Sequence, residues 1–158
     1  MEITMKNVKV LWIIIILLLG LSGFLINKFI SGEVTPSEDG RTNVVLTKDE
    51  RNLILAEMRA FLVSVQAISE AITAKDMDKV VTLTHKAGMA AEEGTPGSLL
   101  QKIPLSMKKM GFGVRGQFDE MSASAKETKD PAIARKQLDN LMNTCIACHS
   151  IYRLPEPQ

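Results

Sequence analysis

Cysteine is nearly absent from this chain of 158 residues: there are two, at 145 and 148. A secreted fold built on disulfides needs more of them at wider spacing, so the pair reads as a site and not as scaffolding. Aromatic residues are scarce at 4%, whereas methionine is plentiful at nine. That mix disfavours a sheet, because β-rich domains lean on aromatic and β-branched side chains. An excess of charge is missing too: 19 Lys and Arg against 18 Asp and Glu leave a formal net charge of +1. No basic field points to nucleic acid as a partner. No repeat of fixed period and no strand-like alternation stand out. The length leaves room for one domain and a short appendage.

Charge is absent altogether from residues 10–26, an apolar run of 17 residues. Asn27 and Lys28 interrupt it before Phe29 and Ile30. Counting to residue 30, the stretch reaches the roughly 20 residues that a membrane-crossing helix needs. Lys6 and Lys9 precede it, which sets the N-terminus in the cytoplasm by the positive-inside rule, and Trp12 suits an interfacial anchor. The remainder of the chain then lies outside the cytoplasmic membrane. A cleaved leader is the alternative. It requires a shorter apolar core and a small-x-small site, and here bulky Phe24, Leu25 and Ile26 follow Ser22-Gly23. Either reading exports the domain: single-pass and membrane-held through residues 10–30, or soluble in the periplasm after cleavage.

Residues 31–46 carry Gly, Pro, Ser and acidic side chains and read as a linker. Thr47 and Glu50 match a capping box. Ile54, Met58, Phe61, Leu62, Val65, Ile68 and Ile72 then recur at threes and fours, predicting an amphipathic helix over about 48–74. A second helix is expected over about 77–91, and a long connection broken by glycines and prolines over 93–113, with a short helical piece around 98–110. A third helix follows over about 114–128. Asp130-Pro131 caps a fourth that runs to about Tyr152. The fold class is all-α: an antiparallel four-helix bundle after one N-terminal transmembrane helix, divided into residues 1–30, 31–46 and 47–158.

The strongest chemical signal is the pentapeptide Cys145-Ile146-Ala147-Cys148-His149. C-x-x-C-H lets two thiols on one helical segment add to the vinyl groups of a haem while the adjacent His reaches the iron. A thioredoxin-like redox pair expects a βαβ setting and a following helix, yet the sequence ends ten residues after Cys148. Half of a zinc site lacks partners, since His85 is the only other histidine. A buried cysteine pair beside an unrelated histidine is the remaining alternative.

With Tyr152 and Arg153 the motif extends to C-x-x-C-H-x-x-Y-R, near the end of the last helix of an all-helical domain. In this it resembles the class II c-type cytochromes, cytochrome c′ and its low-spin, methionine-ligated relatives. Class I cytochromes c carry the pentapeptide near the N-terminus. The resemblance covers residues 47–154, and its sharp part is the C-terminal motif. The membrane-spanning start departs from the usual soluble periplasmic member.

The resemblance implies one covalently bound haem c in the core of a four-helix bundle, with thioethers at Cys145 and Cys148, His149 as the proximal iron ligand, and often a homodimer. The distal side faces the first helix of the bundle. There Met58 is the candidate iron ligand; the alternative is an open iron screened by Leu55, Phe61 or Leu62. Arg51 and Arg59 are candidates to pair with haem propionates, and Tyr152 and Arg153 to touch the haem beyond the motif. His85, between Thr84 and Lys86, reads as a surface residue, and Met107 and Met110 as loop packing.

Two functions follow as expectations. One is electron transfer with a redox partner protein at the outer face of the cytoplasmic membrane. The other is a gas-binding module holding nitric oxide or carbon monoxide on five-coordinate iron. A catalytic haem of the peroxidase kind lacks a distal His/Arg pair.

Overall fold

The chain is described by a computed structural model over residues 5–92 and 94–156. The expected divisions 1–30 and 47–158 also include residues 1–4, 93 and 157–158, which lie outside the described residues. Among the described residues the protein is mostly helical, with six α-helices and one small sheet.

Helix α1 runs over Met5–Ser31. Its segment Val8–Ser31, 24 residues, is long and apolar enough to cross a membrane. At 1.5 Å per residue it spans about 36 Å, against roughly 30 Å of hydrocarbon. Its apolar side chains face outward; Leu17 is 66% exposed. A soluble environment would penalise such a surface.

Helix α2 (Lys48–Thr73) starts where the capping box places it. The Thr47 N–H donates to Glu50 Oε2 at 2.9 Å, and the Glu50 N–H to Thr47 Oγ1 at 3.3 Å. By composition α2 also approaches a membrane span. It instead turns Ile68, Ala71 and Ile72 into the domain core. Helix α3 (Met77–Ala87) is capped by Asp76 and followed by a 3₁₀ turn at Met89–Glu92, so it ends earlier than the expected 91.

The segment expected as a broken connection is largely helical. Helix α4 (Gly97–Lys102) is short, and α5 (Leu105–Thr128) begins nine residues before the expected 114. It runs through Gly111, Gly113 and Gly116, each costing about 1 kcal/mol relative to Ala in a helix interior. Burial of Lys108, Val114, Arg115 and Phe118 on one face offsets that cost. Helix α6 (Pro131–Ile151) is capped by Asp130, whose carboxylate accepts from the Ala132 N–H at 2.8 Å, with Pro131 in the first turn.

Helices α2, α3, α5 and α6 share one apolar core. Phe118, Ile68, Met121, Leu138 and Leu141 are its largest fully buried side chains. A second cluster joins Val44, Leu46, Ile54, Leu99 and Ile103 at the end nearer α1.

The expected linker is corrected: residues 31–46 are folded. Strands β1 (Val34–Pro36) and β2 (Thr42–Val44) form an antiparallel hairpin, and β2 pairs in parallel with β3 (Tyr152–Arg153). Composition alone concealed this. Gly40 takes φ +83 in the turn, and Val44 is fully buried in the second cluster. The hairpin thereby fastens the exit from α1 to the exit from α6.

Candidate functional site

Positions 145 and 148 stand three apart on uninterrupted helix, so both sulfurs lie on one side of α6. His149 follows in the last turn. The helix closes with the Tyr152 N–H donating to the Cys148 carbonyl, and β3 begins at once. Across the sheet, Arg41 Nη1 donates to the His149 carbonyl oxygen at 3.3 Å, and Arg153 Nη1 to Ser37 Oγ at 3.1 Å. The backbone at the motif is thus held from the hairpin side.

Cys145, Cys148 and His149 line a cavity of about 540 Å³. Such a volume lies within the roughly 300–1,000 Å³ usual for cofactor and small-molecule sites. Helix α6 adds Met142, Thr144 and Ile146 to its wall. Helix α2 supplies Leu55, Met58, Arg59, Phe61, Leu62 and Val65, and α5 supplies Met110, Gly111 and Val114. Thr144 Oγ1 accepts from Gln117 Nε2 at 3.1 Å, tying α6 to α5 beside the cavity. Leu62 is 69% exposed and Ile146 66%, an apolar lining poorly suited to standing open to water.

Phe61 lines this space. Its ring stacks on Phe118 at 5.9 Å, and the Arg115 guanidinium lies 4.9 Å from its centroid. Arg115 is buried, pairs with Glu57 and donates to the Ala87 carbonyl at 3.4 Å. A second cavity of about 90 Å³ adjoins it, lined by Ile54, Leu99, Leu100, Ile103 and Met107 among others. Met58, Phe61 and Gly111 border both spaces.

Burial pushes both thiols above the ordinary cysteine range; at Cys148 the neighbouring Cys145 adds to the shift. Thiol–disulfide exchange needs the opposite, a depressed pKa that exposes thiolate. Both cysteines are free of disulfides, and among the described residues no three His, Cys, Asp or Glu side chains are arranged to hold a metal ion.

Of the residues singled out in the sequence, Cys145, Cys148, His149, Met58 and Arg59 come together at the large cavity, with Leu55, Phe61 and Leu62. Three expected haem contacts do not. Arg51 stands in the first turn of α2, short of the cavity, its Nε donating to the Leu154 carbonyl at 3.2 Å and its guanidinium 3.5 Å from Glu156. The Tyr152 hydroxyl shares a hydrogen bond with Ser106 Oγ at 2.6 Å, and its ring rests on the second cluster. Arg153 turns to Ser37 and Asp39. Tyr152 and Arg153 are re-aimed because α6 ends and β3 begins there, and Arg51 is engaged by the C-terminal stretch.

His85 is exposed on α3, as its neighbours suggest. Met107 and Met110 are on α5 and not in a loop; Met110 lines the large cavity and Met107 the small one. Met142 escaped notice in the sequence. The signal was its place three before Cys145 and seven before His149, on the same helical face.

No protein-family model, curated protein or solved structure matches the chain.

Proposed function

We propose that this chain is a haem c electron carrier, held at the outer face of the cytoplasmic membrane by α1 and built as a class II cytochrome on an antiparallel bundle of α2, α3, α5 and α6. One observation carries the reading. The two thiols and the imidazole of a C-x-x-C-H sequence border a cofactor-sized apolar cavity, and the facing helix brings Met58 to the same space.

The donor set and the lining fit such a group. Cys145 and Cys148 would hold the group through thioether bonds at its two vinyl positions, and a ring nitrogen of His149 would bind its iron. When bound, the group supplies a one-electron ferric/ferrous couple. Met58, on the facing wall, would offer its thioether to the same iron, which would raise the reduction potential. Leu55, Leu62, Val65 and Val114 exclude water around it, favouring the less charged reduced state. Arg59 places a cation at the cavity for a propionate to meet. The Arg41 guanidinium, on the His149 carbonyl, steadies the ligand from outside.

The length and apolarity of α1 support this location. Tethering raises the encounter frequency with a redox partner in the same membrane. The test is the spectrum of the full-length protein: a low-spin, six-coordinate iron with a weak near-infrared thioether band in the oxidised state, the band lost in Met58→Ala. A high-spin five-coordinate spectrum, identical in Met58→Ala, contradicts the electron-carrier assignment and favours the gas-binding alternative.

A further inference from the structure

Lys108 is a buried cation that the site leaves unused. Lysine is rarely found inside a fold, yet Lys108 is only 7% exposed. Its Nζ donates to the Phe29 carbonyl at 3.0 Å and lies 3.8 Å from the centroid of the Phe29 ring. That carbonyl belongs to the last turn of α1, where the helix dipole is negative and a cation is favoured. Beside it the Glu33 N–H donates to the Lys102 carbonyl at 2.7 Å. The first turns of α5 are therefore fastened directly to the end of α1.

Phe29 falls within the apolar segment Val8–Ser31. That segment spans about 36 Å against roughly 30 Å of hydrocarbon, so its last residues stand at the boundary with the headgroups. The headgroup layer adds about 5–7 Å on each side, close to one helical turn. Lys109 and Phe112 follow Lys108 within one turn of α5, and both are exposed. Lying that close to a residue fixed at the boundary, they reach lipid whichever way α5 tilts. Among the described residues nothing covers the helix here: a Cβ built on Gly111 or Gly113 meets nothing within 4 Å.

We propose that the opening turns of α5, through Lys109 and Phe112, seat in the headgroup layer of the bilayer that α1 crosses, with the Lys109 ammonium on the phosphate of an anionic phospholipid. The inference rests on α1 as a membrane span and is independent of the haem. A cation beside an aromatic ring is the pairing that interfacial segments use, the ring entering the acyl boundary while the charge meets the headgroups. Met110 and Gly111, between the two contacts, border the large cavity. Its α5 wall then stands within one turn of the lipid, and the domain is held at one attitude to the membrane.

Photo-cross-linking of the full-length protein tests the seat. In vesicles of phosphatidylethanolamine and phosphatidylglycerol, benzoylphenylalanine replaces one residue at a time: Leu17, 66% exposed on α1; Phe112; and Ile133, 40% exposed near the start of α6. Ile133 lies past the far end of α5, whose 24 residues extend about 36 Å. Mass spectrometry is expected to find phospholipid adducts at positions 17 and 112 and none at 133. Lys109→Glu, or added salt, is expected to lower the yield at 112 severalfold. No adduct at 17 overturns the membrane reading of α1 and the seat with it. An adduct at 17 without one at 112, equal yields at 112 and 133, or a yield at 112 indifferent to both Lys109→Glu and salt overturns the seat while α1 keeps its span.

Discussion

Arg41 Nη1 donates to the His149 carbonyl oxygen at 3.3 Å, across 108 positions of sequence. The chain leaving α1 is thereby joined to the candidate iron ligand. Arg153 meets the same hairpin through Ser37 and Asp39, away from the large cavity.

This division of labour among the arginines is testable by potentiometry. Arg59→Ala removes the cation at the cavity and should lower the reduction potential, because the ferric state gains relative to the ferrous. Arg51→Ala and Arg153→Ala should leave the potential in place and cost roughly 0–1 kcal/mol of stability, as partly exposed pairs do. A shift in the Arg153→Ala protein comparable to that in Arg59→Ala would return Arg153 to the haem.

The junction between α1 and the domain rests on Gly32. Its φ is +66, and a Cβ there would meet the Pro104 nitrogen at 2.7 Å and the Ile103 carbonyl carbon at 2.8 Å. Beside it the Glu33 N–H donates to the Lys102 carbonyl at 2.7 Å, and Lys108 Nζ donates to the Phe29 carbonyl at 3.0 Å. Gly32→Ala should open this seam at a cost of about 1–3 kcal/mol. Limited proteolysis in membranes reads the result: residues 31–46 resist cleavage in the wild type and are cut in the variant. Rapid cleavage of the wild type would mean a loose tether.

Acid should loosen the start of α2. Lys102, and then the Thr47 N–H, hold the Glu50 carboxyl below the usual carboxylate range. The folded pKa is depressed, so its contribution is complete above the ordinary value near 4.3 and is lost as pH falls through the folded value. Glu50→Gln should flatten the acid limb of stability against pH, measured by thermal melts. Thr47→Ala should cost about 0.5–2 kcal/mol at neutral pH. An unchanged acid limb in Glu50→Gln would remove this residue from the account.

Much of this architecture was legible from residue patterns. The capping box at Thr47 and the Asp130-Pro131 start located two helices nearly to the residue, because caps are local chemistry. The start of α5 was not legible. Glycines at 111, 113 and 116 argue against a helix locally, and the burial of Phe118 and Arg115 that sustains it is a tertiary effect. The hairpin was hidden for a similar reason, since three-residue strands depend on partners at 152–153 far along the chain. At the site, C-x-x-C-H spacing singled out Cys145, Cys148 and His149, and periodicity put Met58 on the apolar stripe of α2 that borders the same cavity. Periodicity could not foresee that Arg51, Tyr152 and Arg153 find partners elsewhere.

The most direct measurement is covalent haem retention. The full-length protein, produced with a c-type maturation system, is denatured and extracted with acidified organic solvent, and the haemochrome spectrum of the protein fraction is recorded. One haem should remain per chain, with the band positions of two saturated vinyl groups, and it should be lost from the Cys145→Ser, Cys148→Ser double variant. A protein fraction free of haem, or haem fully extracted from the wild type, would contradict the assignment of these cysteines and of the cavity they border.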